Sequence, residues 1–136
     1  MNKKITPYIL LFLTALLLFS CKSAKLSDAE EKQRIGEYFE AAAIYRKVYT
    51  KTSPQKRDLR GYIAYRMAEC NRLINNTPRA TSAYMNALRY DYPDSIVSLR
   101  LGQMYQKSGK YMDAIRHYNA VSYTHLRAHE TCADLV

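Results

Sequence analysis

Apolar positions along the chain follow two regimes. Between Tyr8 and Phe19 they form a nearly unbroken run, whereas from about residue 27 onward they recur every three or four positions. The second spacing lines one face of a helix, and its interruptions predict helices near 27–35, 38–51, 57–74, 78–91, 94–107 and 110–120. The expected fold class is therefore all-α. Asp28, Glu30 and Glu31 fall in the opening turn of the first helix, where negative charge suits the helix dipole.

The helical part repeats itself. Three blocks, GEYFEAAAIYRKVYTKTSP, NNTPRATSAYMNALRYDYP and SGKYMDAIRHYNA, align so that Ala80 and Ala114, Tyr84 and Tyr118, Ala68 and Gly102, and Met67 and Leu101 each stand 34 apart. From Ala41 to Ala80 the interval is 39, which places an insertion of five residues near KTSPQKRDLR, as a loop or a longer helix.

Residue types and spacing together resemble the tetratricopeptide repeat, a pair of antiparallel helices joined by a short turn. The third block carries the resemblance best, through Leu101, Gly102, Tyr105, Gly109, Tyr111, Ala114, Ile115 and Tyr118. Gly102 and Ala114 suit a close helix crossing, and Gly109 suits a left-handed turn. Tyr105, Tyr111 and Tyr118 are expected to supply bulk around that crossing. The second block has Asn75 at the turn position and Pro78 in the first turn of a helix, where its missing N–H costs nothing. The first block matches from Gly36 through Tyr38, Ala41 and Tyr45. Residues 27–120 are accordingly expected to form a truncated α-solenoid, with units at 27–55, 61–94 and 95–120, in preference to a generic helical bundle. Ala41, Ala68, Ala80, Gly102, Gly109 and Ala114 are its expected packing positions.

The amino-terminal run is too short for a membrane span, which needs roughly 18 apolar residues. Lys3 and Lys4 before it and Ser20 after it describe a secretory signal over residues 1–20. Leu18, Phe19, Ser20 and Cys21 resemble a bacterial lipobox, although Phe19 departs from the small or β-branched residue usual there. That resemblance implies acylation of Cys21, several acyl chains giving a stable membrane anchor through a short tether at 21–26. Of the three cysteines, only Cys70 then remains in the helical body, so an internal disulfide is not expected.

The last stretch, VSYTHLRAHETCADLV, holds His125 and His129 four apart with Glu130 beside the second, a spacing able to present two imidazoles to zinc. The same letters resemble the translation of a transposase-type sequencing adapter. Val121 through Thr131 agree residue by residue, Cys132 and Ala133 fall where an index would lie, and Asp134 to Val136 agree again. Residues 121–136 are therefore read as a non-native tail, with no metal site expected, and the natural chain is expected to continue differently after Ala120.

Charge narrows the partners. Lys plus Arg number 21 against 12 Asp plus Glu, a net of +9; residues 22–120 alone hold 18 against 10, an excess of eight, most of which reads as solvated helix faces. No basic run with interleaved aromatics suggests nucleic acid. Outside the tail, His117 is the one histidine, and neither a nucleophile with a base nor a glycine-rich phosphate loop is present, so neither an enzyme nor a cofactor is expected.

The family resemblance implies a groove lined by the first helix of each unit. Here that helix offers Tyr62, Tyr65, Glu69, Arg72 and Leu73, and in the next unit Ile96, Leu99, Gln103, Gln106 and Lys107. Some members grip a terminal carboxylate with Lys and Asn; Tyr65, Leu99, Glu69 and Gln103 stand at those places, so that clamp is not expected. A lipobox followed by such repeats resembles outer-membrane lipoproteins that continue into a β-propeller and an OmpA-like domain, including PorE-like components of type IX secretion. The resemblance implies a lipid-anchored scaffold at the periplasmic face of a bacterial outer membrane. Its partners would be envelope proteins, with peptidoglycan reached through further domains. Two alternatives stay open: a docking region of a larger envelope enzyme, and an uptake lipoprotein for a small ligand.

Overall fold

A computed structural model describes the backbone of residues 24–92 and 95–133, and their side chains except at 95 and 123–133. The signal, Cys21 and the last three residues lie outside the described residues, as do the side chains of His125, His129, Glu130 and Cys132. The described part is all-helical: α1 (Leu26–Arg34), α2 (Tyr38–Lys51), α3 (Arg57–Leu73), α4 (Thr77–Arg89), α5 (Ser95–Lys107) and α6 (Tyr111–Ala133). Each helix packs mainly against the next in the chain.

One turn design closes α1, α3 and α5. Gly36, Asn75 and Gly109 have φ of 85°, 59° and 72°. At each, the following N–H reaches back five residues: Glu37 to Lys32 O, Asn76 to Asn71 O and Lys110 to Tyr105 O, all at 2.9 Å. The shorter bond nests inside it, from Gly36 to Gln33 O, Asn75 to Arg72 O and Gly109 to Gln106 O. This pair of bonds satisfies carbonyls that a helix end would otherwise orphan, and it requires a left-handed residue at the turn. Glycine adopts that conformation freely and asparagine tolerates it. Asp91, with φ of 53°, closes α4 in the same way through Tyr92 to Ala87 O. The α4 start is capped by Asn76, whose side chain accepts from the Arg79 N–H, and Pro78 sits in its first turn.

The core is made of small residues and tyrosines. One cluster gathers Ala64 and Ala68 from α3, Ala80, Ala83, Tyr84 and Ala87 from α4, and Val97, Leu101 and Met104 from α5. The other joins Ala29, Ala41, Ala42 and Tyr45 to Ile63 and Cys70 on the other flank of α3. Alanine at a crossing lets helix axes approach to about 8 Å, the low end of the usual range. Cys70 is fully buried, and burial pushes its thiol up to about 11, as suits a packing residue.

Of the expected packing positions, Ala41, Ala68 and Ala80 are fully buried and Ala114 nearly so. At Gly102 the close neighbour differs from the expected opposing backbone. A Cβ there would collide with the Tyr118 ring, so the glycine makes room for that ring on α6. Tyr111 also departs from expectation, being 65% exposed at the start of α6.

The two intervals of 39 and 34 also have a structural account. The extra residues lengthen helices and leave the linker alone: α3 has 17 residues against 13 in α5, and α2 has 14 against 13 in α4. The added first turn of α3 is held on both sides. Arg57 pairs with Asp91 at 2.5 Å and donates to Arg89 O at 3.1 Å. Arg60 lies over the rings of Tyr49, at 4.1 Å, and Tyr90, at 4.9 Å, while donating to the end carbonyls Tyr49 O and Thr52 O. A cation between two rings is worth about 0.5 to 2 kcal/mol per face, more than the exposed Arg57–Asp91 pair. Gly61 lets this turn settle on Tyr90 and Tyr92, since a Cβ would meet Tyr92 Cβ at 3.2 Å.

The sixth helix runs well past the expected end at 120, to Ala133. No glycine or proline occurs between Val121 and Val136, so nothing local stops it.

Candidate interaction surfaces

The residues expected to line a groove on α3 and α5 are drawn into a network joining successive helices. Glu69 is its hub: it accepts from Arg72 Nη2 at 2.7 Å and from the Tyr84 hydroxyl, and it forms an ion pair with Arg100 Nε at 3.5 Å. That last contact is ionic rather than a hydrogen bond, since Arg100 Nε has no hydrogen-bond partner. Arg100 Nη1 in turn donates to Gln103 at 3.1 Å. Burial would raise the Glu69 pKa, but hydrogen bonds from Arg72 and Tyr84, with the charges of Arg72 and Arg100, outweigh it and hold the carboxyl below its ordinary 4.5. Burial and the Glu69 contact push the Tyr84 phenol upward.

The remaining groove residues are tied in pairs. Tyr62 donates to Glu30 on α1 at 2.8 Å; burial, then that bond, carries its pKa up to about 12. Tyr65 stacks on Tyr92 at 4.7 Å and lies tilted against Tyr84. Gln106 accepts from the Tyr118 hydroxyl at 2.8 Å, and Lys107 reaches Asn75 at 2.7 Å. Leu73 and Leu99 are exposed, and Ile96 packs against the core. Sequence reasoning omitted Arg100 and Tyr84 from this group. The 34-residue register that pairs Arg100 with Arg66, and Glu69 with Gln103, was the available signal.

A second surface was not anticipated. Between α2 and α4, floored by α3, lies an open cleft of about 850 Å³. Facing alanines and a serine, Ala42 and Ala43 on α2 and Ser82 and Ala83 on α4, are too small to fill the gap between two helices that are not chain neighbours. Phe39 stands at its edge, 70% exposed. Arg46, Lys47 and Arg79 line it, all three exposed, and among the described residues no carboxylate does. Asn71, 4% exposed, is in its wall and donates from Nδ2 to Met67 O at 2.8 Å. A smaller hollow of about 420 Å³ lies between α4 and the α5–α6 turn, with Arg89 and Lys110 in its lining. At about 100° per residue, Met67 and Asn71 project from the side of α3 opposite Tyr65, Glu69 and Arg72, so cleft and network occupy opposite flanks of that helix.

His117 stacks on Tyr105 at 5.4 Å. Burial lowers its pKa against a smaller opposing pull from Asp113. Among the described residues, no group of histidine, cysteine and carboxylates could hold a metal ion, and no helix is long and apolar enough to cross a membrane. Neither a model of any known protein family nor any curated protein matches the chain.

Proposed function

We propose that residues 27–120 form tetratricopeptide-like units of an α-solenoid serving as a non-enzymatic scaffold for protein partners in a bacterial envelope. In this reading Cys21 is acylated and tethers the scaffold to the outer membrane, facing the periplasm. One observation carries it: the same two-bond turn recurs at Gly36, Asn75 and Gly109, each time between helices that both bury a small residue, Ala29 and Ala41, Ala68 and Ala80, and Gly102 and Ala114. Units of that kind bury their apolar faces by stacking on neighbours, which produces long surfaces suited to binding other chains. The exposed Leu73 and Leu99, beside the Glu69 network, supply apolar contacts on the flank of α3 and α5 that the family uses.

The test is photo-crosslinking in cells from position 99, with a benzoylphenylalanine replacing Leu99 in the full chain, alongside labelling with an alkyne fatty acid. The expected result is a discrete protein adduct in the membrane fraction, with both label and membrane association lost in Cys21→Ser. Absence of any adduct above background would remove the scaffold reading. Fatty-acid label retained by Cys21→Ser would remove the tether.

A further inference from the structure

The cleft between α2 and α4, about 850 Å³ against about 420 Å³ for the hollow beside α4, sets cations around an apolar floor. Its floor is apolar, from Ala42, Ala83, Met67 and Ile74. Its cations, Arg46, Lys47 and Arg79, form no ion pair among the described residues, unlike Lys32, Arg34, Arg57, Arg72, Arg100 and Arg116, though Arg89 and Lys110 of the smaller hollow are unpaired as well. Nearby Glu40, the acid nearest the mouth in sequence, is occupied by Lys32 at 2.8 Å. The Asn71 side-chain oxygen accepts from no described group, though its residue is almost wholly buried in the cleft wall.

We propose that this cleft docks an acidic, amphipathic peptide segment of a partner protein. One or two apolar side chains of that segment fill the space above Ala42 and Ala83, against Phe39. Its carboxylates face Arg46, Lys47 and Arg79, and one of its backbone N–H groups donates to Asn71. Charge complementarity selects the class of partner. A basic segment would meet three like charges in the lining, and an uncharged one would leave three cations unused. Length follows from α2, whose 14 residues span about 21 Å, the reach of about six extended residues. The site lies on the flank of α3 away from the Glu69 network, so it stands or falls independently of the groove considered above.

The experiment measures fluorescence anisotropy of the full chain with a labelled octapeptide alternating glutamate with leucine and phenylalanine. Two control peptides replace every glutamate by lysine or every apolar residue by glycine. Binding of the first peptide alone is expected, weakened at least tenfold by Arg46→Glu with Arg79→Glu, and weakened again as salt rises. Both positions are exposed, and circular dichroism checks that the double variant stays folded. Ser82→Trp, which fills the cleft without touching its charge, is expected to weaken binding to a similar degree. Equal binding of the lysine peptide, binding untouched by the charge reversals, or binding only to phosphatidylglycerol vesicles in place of the peptide would overturn the proposal.

Discussion

Tyr84 and Tyr118 are the same residue at the same place in two helix pairs, and they have different surroundings. Tyr84 is fully buried, and its cluster includes Val97, Leu101 and Met104 from α5, the helix that follows its own pair. Tyr118 is only half-buried, and the outer face of α6 leaves Met112 76% and Ile115 50% exposed. Both hydroxyls are hydrogen-bonded, so the contrast is one of coverage rather than of local bonding. A helix pair in this molecule therefore buries its own small-residue crossing, but its tyrosine is sealed only by the next helix in line. Stability is then a property of neighbours, added one interface at a time.

The sharpest way to break that comparison is to remove both rings in turn. Tyr84→Ala is expected to cost about 3 to 5 kcal/mol, the usual range for deleting a fully buried aromatic side chain, whereas Tyr118→Ala costs roughly half as much. Urea unfolding followed by circular dichroism compares them, and equal losses would mean that α5 contributes nothing special to Tyr84.

Next in size is the hub between the two pairs. Glu69→Ala leaves Arg72 and Arg100 without their acid and is expected to cost about 2 to 4 kcal/mol, while Glu69→Gln costs less because the amide oxygen still accepts. The hub also sets a pH dependence. The folded carboxyl has a depressed pKa, so its stabilising contribution is complete above the ordinary 4.5 and disappears as pH falls through the lower folded value. The stability gap between wild type and Glu69→Gln should therefore be widest near neutral pH and narrow as pH falls below 4.5. A gap that stays constant across that range would show that the charge of Glu69 is not what the arginines hold.

The smallest effect concerns the turn. Asn75 holds a φ of 59°, where Gly36 and Gly109 serve the same turn elsewhere. Asn75→Gly is expected to gain up to about 0.5 kcal/mol, the relief of the left-handed backbone exceeding the lost exposed bond to Lys107 and the added entropy of the unfolded chain. A thermal shift downward would indicate that the Lys107 contact carries more than a surface hydrogen bond.

These turns were legible in the sequence because their chemistry is local. A glycine or asparagine two residues before the next helical run has few other conformational uses, and the helix positions followed to within two residues until α6. Alanines 34 apart were legible for a related reason, since only small side chains fit a close crossing. Gly102 was legible as a close approach but not as a seat for Tyr118, because ring direction depends on where its hydroxyl finds Gln106. Arg57 and Arg60 were legible only as polar residues at the start of a helix; their role needs α2 and the end of α4 to meet on either side of one helical turn. The cleft was invisible for the same reason. It is a space between helices distant in the chain, and no residue in it has a distinctive pattern of its own.

Native-state hydrogen exchange, read amide by amide, tests the neighbour account most directly. Protection should be highest in α3 and α4, the middle pair of the stack, lower in α5, and lowest in α1 and the part of α6 beyond Ala120. Uniform protection lost in a single step across all six helices would contradict it.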